Sequence, residues 1–323
     1  MSTGSDFKCP KCEEFRELTL HLHELFMFCE LLDNTNIVYK YSKKFKGFVP
    51  EGEATTINIA KWLRLASQID SVELNPFRYK EAHFWCESAG DELDSDAGHH
   101  KAIITPITQF MFIANALEET YRFISSRYEH HYKSAIIRKP KLERKRNYSA
   151  QAHWLLDEIY PDIEVPEMYK HKVDSFTSLA KSYQKQFNVS FDFDLENNPE
   201  LSHGLSIVRN IRNHIAHAVF PIIENPEYTL EFSNPKSKRL ILNLLAHASR
   251  VAAMNIQMML SVSNSGFNSA GYSYLCSDPD YGNKLESLCT LNYLKKLHIK
   301  QEFGLNESSQ WQLRSEWGLE AVE

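Results

Sequence analysis

The chain has 323 residues, of which 43% are hydrophobic and 24% charged, a balance that excludes a disulfide-stapled miniprotein and a generally disordered chain. Lysine and arginine total 36 against 42 acidic residues, a formal charge of −6, so a nucleic-acid partner would have to be met by a local basic patch. Six cysteines with one close pair, Cys9 and Cys12, are too sparse for a secreted disulfide framework. The first residues lack a basic start followed by an apolar core. The most apolar stretch, 241–260, is interrupted by Asn243, His247, Arg250, Asn255 and Gln257, which argues against a membrane span. These features together predict a cytoplasmic protein with no membrane partner.

In chain order, Phe15 to Leu32 places Phe15, Leu18, Leu22, Leu25, Cys29 and Leu32 on one helical stripe, while Thr19 to His23 alternates as a strand would; periodicity alone leaves both readings open. Ile37 to Tyr41 reads as a short strand, Phe48 to Gly52 as a chain break, and Thr56 to Ile69 as a helix. The acidic, small-residue stretch Ser88 to Gly98 reads as an exposed loop and places a boundary near residue 99. Thr105 and Pro106 then suit the cap and first position of a helix in which Phe110, Ile113, Leu117, Tyr121, Ile124 and Tyr128 recur at steps of three and four. A basic connector holding Lys139, Lys141, Arg144, Lys145 and Arg146 follows, then a short helix around Trp154, a third helix through Val173, Phe176, Leu179, Tyr183 and Phe187, and a fourth from Glu200 to Val219. The fourth has Leu205, Val208, Ile211, Ile215 and Val219 on its inner face and is stopped by Pro221. A fifth spans Ser237 to Leu260. The fold expected is mainly α: an N-terminal α or α+β region (1–99), an antiparallel helical bundle (100–262) and a C-terminal extension (263–323), with a further helix near residues 285–298.

Chemistry concentrates on the fourth helix. Arg209, Asn213 and His217, at i, i+4 and i+8, form a polar ridge beside Arg212, and His214 lies between them. Arginine offers a permanent forked donor for phosphate oxygens, and histidine the side chain whose ordinary pKa suits proton transfer near neutrality. Phosphate binding and proton transfer are what cleavage of an RNA backbone requires.

At Arg212-Asn213-His214-Ile215-Ala216-His217 the sequence resembles the HEPN superfamily, in the Arg-Asn…Ala-His form of ApeA-like HEPN domains, with Ala218 where a glycine often follows the histidine. The resemblance covers about residues 100–262. It implies a metal-independent endoribonuclease in which the ribose 2′-OH attacks the adjacent phosphate, with His217 as acid or base, Arg212 on the phosphoryl oxygens and Asn213 orienting substrate or His217. It further implies a homodimer with two motifs across one cleft, a bacterial toxin or antiphage defence role, and an antitoxin or other regulatory partner. The alternatives are a noncatalytic RNA- or nucleotide-binding module and a helical dimerisation scaffold. Arg209 and His214 satisfy the same spacing three residues earlier and are the second candidate pair; the preferred pair is Arg212 and His217.

Two further signals stand apart. The basic connector from Lys139 to Arg146 is a candidate RNA-phosphate contact. Cys9-Pro-Lys-Cys12 has the spacing of half a structural zinc site, with His21, His23, Cys29, Cys276 or Cys289 as completions; the alternative is a pair of ordinary reduced thiols.

Overall fold

The computed structural model describes residues 10–79, 86–160, 165–196, 200–225, 235–266 and 291–300. Within them the chain is mainly helical, in the order α1 (Pro10–Glu13), α2 (Leu18–Leu32), β1 (Thr35–Ser42), β2 (Gly47–Thr55), α3 (Thr56–Ser67), α4 (Glu87–Arg138), α5 (Tyr148–Glu158), α6 (Tyr169–Phe187), α7 (His203–Ala216), α8 (Pro235–Ser263) and α9 (Leu291–Lys296). It forms two compact units, each assembled from separated stretches: Met1–Ser67, Ala116–Tyr169 and Ala253–Glu323 in one, Gln68–Asn115 and Lys170–Ala252 in the other. The segment 285–290 of the expected C-terminal helix, and residues 267–284, lie outside the described residues.

In the first unit the ambiguous N-terminal stripe is a helix. Leu22, Leu25, Phe28, Cys29 and Leu32 of α2 are all 0% exposed, and Asp33 closes the helix in a left-handed conformation with its N–H on the Cys29 carbonyl. Helix α3 packs on α2 through Ile59, Ala60 and Leu63. Between them β1 and β2 pair as an antiparallel hairpin from Thr35–Thr55 to Ser42–Gly47, so the chain break expected at Phe48 to Gly52 is instead a strand. Pro50, which lacks an N–H, is accommodated opposite Tyr39 beside the irregularity at Val38 and Tyr39.

A buried polar network ties α2 to α8 and α9. His21 Nε2 donates to Gln257 Oε1 (2.8 Å), the Gln257 amide nitrogen donates to the Leu294 carbonyl and to His298 Nδ1 (3.0 Å), and His298 Nε2 donates to the Glu167 carbonyl (2.7 Å). The carbonyl facing His298 Nε2 places the ring proton there and leaves Nδ1 as acceptor. Beside it Arg16 lies 3.9 Å from Glu24 and donates to the Ile299 carbonyl (3.2 Å). All five of these side chains are within 2% of full burial.

In the second unit, the stretch Ser88 to Gly98 expected as a loop, and with it the expected boundary at 99, lies inside α4. Its small and acidic residues are indifferent helix formers, but partners fix them: Asn225 Nδ2 donates to Ser95 Oγ (3.0 Å) and Asp96 Oδ1 (2.9 Å), and buried His99 donates through Nε2 to the Ile223 carbonyl (2.8 Å). Pro106 is interior to α4 and does not start a helix. Its cost of about 3 kcal/mol or more is offset by burial of Ile103, Phe110 and Ile113, while Thr105, expected as the cap, accepts the Val72 N–H (2.9 Å) through its hydroxyl.

The contacts also set helix directions. Gln186 at the end of α6 donates to Ser237 at the start of α8, and Lys172 near the start of α6 acts electrostatically on His247 further along α8, so these two run in opposite senses. Thr177 meets His203 and Tyr183 meets His214, so α6 and α7 run in the same sense, a departure from the antiparallel order expected. Residues 188–196 and 200–202 are the described part of the chain between α6 and α7. Leu117, Tyr121, Val208, Leu245 and Ala252 are at most 3% exposed, as their spacing predicts. Ile215 and Val219 differ: the first is half-buried and the second 48% exposed, because α7 ends at Ala216, three residues short of its expected end.

Replacing Gln257 with leucine would strand the His21 donor, the His298 acceptor and the Leu294 carbonyl at once. Since an unsatisfied buried polar group costs about 1–3 kcal/mol, Gln257→Leu is expected to lower unfolding free energy by about 3 kcal/mol or more in urea denaturation. An unchanged midpoint would remove the network's structural role.

Candidate functional site

Helix α7 buries Leu205, Ile207, Val208 and Ile211, each at most 1% exposed. That face orients the polar residues. Arg209, Arg212 and Asn213 are half-buried, and Ala216 and His217 stand exposed, while His214 turns inward at 8% exposure.

His214 is engaged on both ring nitrogens. Nε2 donates to the Ser190 carbonyl (3.1 Å), so Nδ1 accepts from the Tyr183 hydroxyl (3.2 Å). Burial holds its pKa below the ordinary histidine value, against the opposing pull of the Ser190 hydrogen bond and Asp192, and burial pushes the Tyr183 phenol upward. The pair is therefore neutral at pH 7. Phe187, Phe191 and Phe220 surround the Tyr183 ring at centroid distances of 5.6, 6.3 and 5.8 Å, which completes an aromatic cluster under the end of α7.

Arg209 is also committed. Its Nη2 donates to Asp192 Oδ2 (2.7 Å), Asn210 Nδ2 donates to Asp192 Oδ1 (2.6 Å), and Asn210 Oδ1 accepts the Asp192 N–H (3.1 Å). Arg209, Asn210 and His214 thus bind the 188–202 segment to α7, and the second candidate pair is occupied with holding the fold together.

Arg212 has a different setting. Nη1 donates to Asn213 Oδ1 (3.1 Å), and no carboxylate pairs with it among the described residues, whereas the buried Nε lacks a hydrogen-bond partner in Arg209 and Arg212 alike. His217 terminates the helix, its N–H on the Asn213 carbonyl (2.9 Å). The following turn satisfies the orphan carbonyls: Ala218 N–H bonds Ile215 (3.2 Å) and Val219 N–H bonds His214 (2.8 Å), the Schellman pattern. Ala218 occupies its left-handed position at φ 56°, where the residue best suited is glycine. The five steps from Arg212 to His217 subtend about 140° on a helix, so Arg212 and Asn213 lie half-buried along the outer side of α7 and His217 stands exposed at its end, a surface ridge that offers guanidinium, amide and imidazole.

Sequence reasoning missed Tyr183, Ser190, Asp192 and Phe220, which set this arrangement. Nothing local to the motif signals them, since they come from three other segments.

The connector residues are placed unequally. Lys141 is exposed, Lys139 lies 3.5 Å from Glu158, and Lys145 donates its backbone N–H to the Tyr128 hydroxyl (2.7 Å). Arg144 is paired with Glu129 and lies 3.6 Å over the Phe48 ring, and Arg146 lies 4.7 Å over Tyr41. Arg144 therefore serves the fold more than a ligand.

Of the zinc candidates, Cys9, Cys276 and Cys289 lie outside the described residues. Cys12 is half-buried, and Cys29 is fully buried with its thiol pushed up by desolvation, the reverse of a thiolate ligand. His21 is held by Gln257 and His23 packs 5.4 Å from Phe26. Among the described residues no group of three or more His, Cys, Asp or Glu side chains is gathered as a metal site requires.

No family model, curated protein or solved structure matches this chain. Among the described residues no helix is long and apolar enough to cross a membrane.

Two outcomes follow from this geometry. Ala218→Gly relieves a left-handed residue and is expected to raise unfolding free energy by about 0.5–1 kcal/mol, read as an upward shift in urea midpoint; a downward shift would contradict the strain. His99, His203 and His214 are all buried with pKa values lowered by desolvation. The unfolded chain therefore takes up protons first, and stability that is complete above about pH 6.5 should fall as pH drops below it. The urea midpoint at pH 5 is expected below that at pH 7.5, and a smaller difference in His214→Gln would assign part of the effect to that ring.

Proposed function

We propose that this chain is a metal-independent endoribonuclease of the HEPN kind. The ribose 2′-OH attacks the adjacent phosphate, the P–O5′ bond breaks, and the products are a 2′,3′-cyclic phosphate and a 5′-OH end. His217 transfers a proton, Arg212 stabilises the charge developing on the phosphoryl oxygens, and Asn213 orients substrate or imidazole. One observation carries the reading. Of two overlapping Arg-x4-His pairs, Arg209 and His214 are consumed by Asp192, Tyr183 and Ser190, whereas Arg212 and His217 remain at the surface with no carboxylate on the arginine. An open ridge suits a polymer backbone, whereas a small substrate is generally enclosed over most of its surface.

A single His217 cannot comfortably serve both sides of an in-line reaction, so the reading includes a homodimer that brings two motifs together. Support comes from the surroundings of His217: Val219 and Ile222 are 48% and 63% exposed, and Ile215 is half-buried, an apolar margin suited to a second copy. A cytoplasmic toxin or antiphage effector, restrained by an antitoxin or other regulator, is the role the resemblance implies. A structural zinc on Cys9 and Cys12 is separate from this chemistry. The same apolar margin would also serve the alternatives, a dimerisation scaffold or a noncatalytic RNA- or nucleotide-binding module.

The test is wild type with His217→Ala, Arg212→Ala, Arg209→Ala and His214→Ala against mixed RNA, with and without EDTA, alongside light scattering. His217→Ala and Arg212→Ala are expected to lose about 10²–10⁴-fold in cleavage with unaltered melting, whereas Arg209→Ala and His214→Ala mainly lower melting temperature. Chelator should leave the rate unchanged, and product ends should be cyclic phosphates. Intact RNA with a wild-type dimer, or cleavage indifferent to His217→Ala, would leave the noncatalytic readings.

A further inference from the structure

The β1–β2 turn reads Lys43-Lys44-Phe45-Lys46, with all four residues exposed and Phe45 at 67%. None of these lysines has an ion-pair partner among the described residues, and the Phe45 N–H is held by the Ser42 hydroxyl at 3.3 Å. Lys44 Nζ lies 5.5 Å from the centre of the Phe45 ring, so a cation and a flat apolar ring are presented together at the tip. The basic connector, almost a hundred residues later, is laid against the same hairpin. Arg144 stacks at 3.6 Å on Phe48, Arg146 at 4.7 Å on Tyr41, and the Tyr148 hydroxyl bonds Glu51. Hairpin and connector belong to one compact unit. Residues 40–48 and 138–146 together carry ten lysines and arginines and one acid, Glu143, in a chain whose formal charge is −6. Lys40, Lys139 and Arg144 are paired with Glu51, Glu158 and Glu129, and Arg144 and Arg146 bring the connector onto the hairpin.

We infer that this face, the hairpin tip with Tyr41 and Arg146 beside it, is a grip for single-stranded RNA. Lys43, Lys44 and Lys46 meet phosphates, and the exposed Phe45 ring takes a base by stacking. Cations alternating with flat rings are the combination by which single strands are held without sequence preference. A duplex hides its bases and offers Phe45 nothing. The choice of RNA over DNA rests on the nuclease reading above. Arg144, paired with Glu129, acts here as the brace between connector and hairpin and not as a phosphate ligand.

The experiment uses the full chain carrying His217→Ala, so that bound RNA is not consumed, and reads fluorescence anisotropy with a labelled single-stranded RNA over a range of salt. The triple variant Lys43→Glu/Lys44→Glu/Lys46→Glu is expected to weaken binding at least tenfold. It should also flatten the dependence of log Kd on log salt by about 2, at roughly 0.7 per lost phosphate contact on a single strand. Phe45→Ala is expected to weaken binding several-fold with the salt slope unchanged, and duplex RNA to bind less tightly than the single strand. Circular dichroism establishes that the surface variants are folded. Unchanged affinity in the triple variant, equal affinity for duplex, or stronger association with phosphatidylserine vesicles than with RNA would overturn the inference, the last assigning the face to an anionic membrane. Failure of the nuclease reading is distinct: RNA bound through the hairpin by His217→Ala yet left intact by wild type sinks that reading alone, whereas wild-type cleavage with full-strength binding by the hairpin variants sinks this one alone.

Discussion

The site depends on one neutral imidazole. His214 spends both ring nitrogens on Tyr183 and Ser190, and its carbonyl accepts the N–H groups of Val219 at 2.8 Å and Phe220 at 3.0 Å. The side chain thereby fastens α7 to α6 and to the 188–202 segment, while the backbone fastens the chain leaving α7. Protonating the ring would force Nδ1 to become a donor toward the Tyr183 hydroxyl oxygen and place a charge among Phe191, Tyr183 and Phe220. Because His214 is turned inward, Arg212 and Asn213 fall toward the outer side of α7, and His217, the first residue past the helix, stands in solvent. The exposed ridge is the complement of a buried anchor.

This division explains what the sequence could disclose. Long apolar stripes were legible: Phe110 to Tyr128 and Ile241 to Ala252 bury the positions their spacing implies, because a helix face must be covered whatever covers it, whereas Leu22 to Leu32 was open between helix and strand until packing decided it. Elements that depend on partners distant in sequence were not legible. Ser88 to Gly98 carries loop composition, yet Asn225 and the Ile223 carbonyl hold it helical. The strand at Phe48 to Gly52 contains a proline and a glycine and is defined by its pairing with β1. Within the motif, the density of arginine, asparagine and histidine was visible, but not which members face inward. Arg209 and His214 are distinguished from Arg212 and His217 only by Asp192, Ser190 and Tyr183, which lie 17 to 31 residues away.

The same separation governs the basic residues. As a run, Lys139 to Arg146 looks uniform, but folding gives its members different duties. One half-buried guanidinium rests against Phe48 and Glu129, another covers Tyr41, and Lys141 stays in solvent. Three more exposed cations, Lys43, Lys44 and Lys46, come from a different stretch, the hairpin turn, which composition does not set apart from any other polar loop. A charge run is thus a poor guide to which charges a ligand meets; the rings that some of them rest on are more informative.

The buried network around Gln257 bears on the order in which the chain can mature. Arg16, Glu24 and His21 lie near the start of the sequence, and their partners Gln257, His298 and the Ile299 carbonyl lie near its end. Until residue 299 has left the ribosome, the contacts of His21 with Gln257 and of Arg16 with the Ile299 carbonyl cannot all form, whereas the unit containing α7 has all its stretches by Ala252. During synthesis, then, the unit bearing Arg212 and His217 can close first, and the unit bearing the hairpin must wait for almost the entire chain.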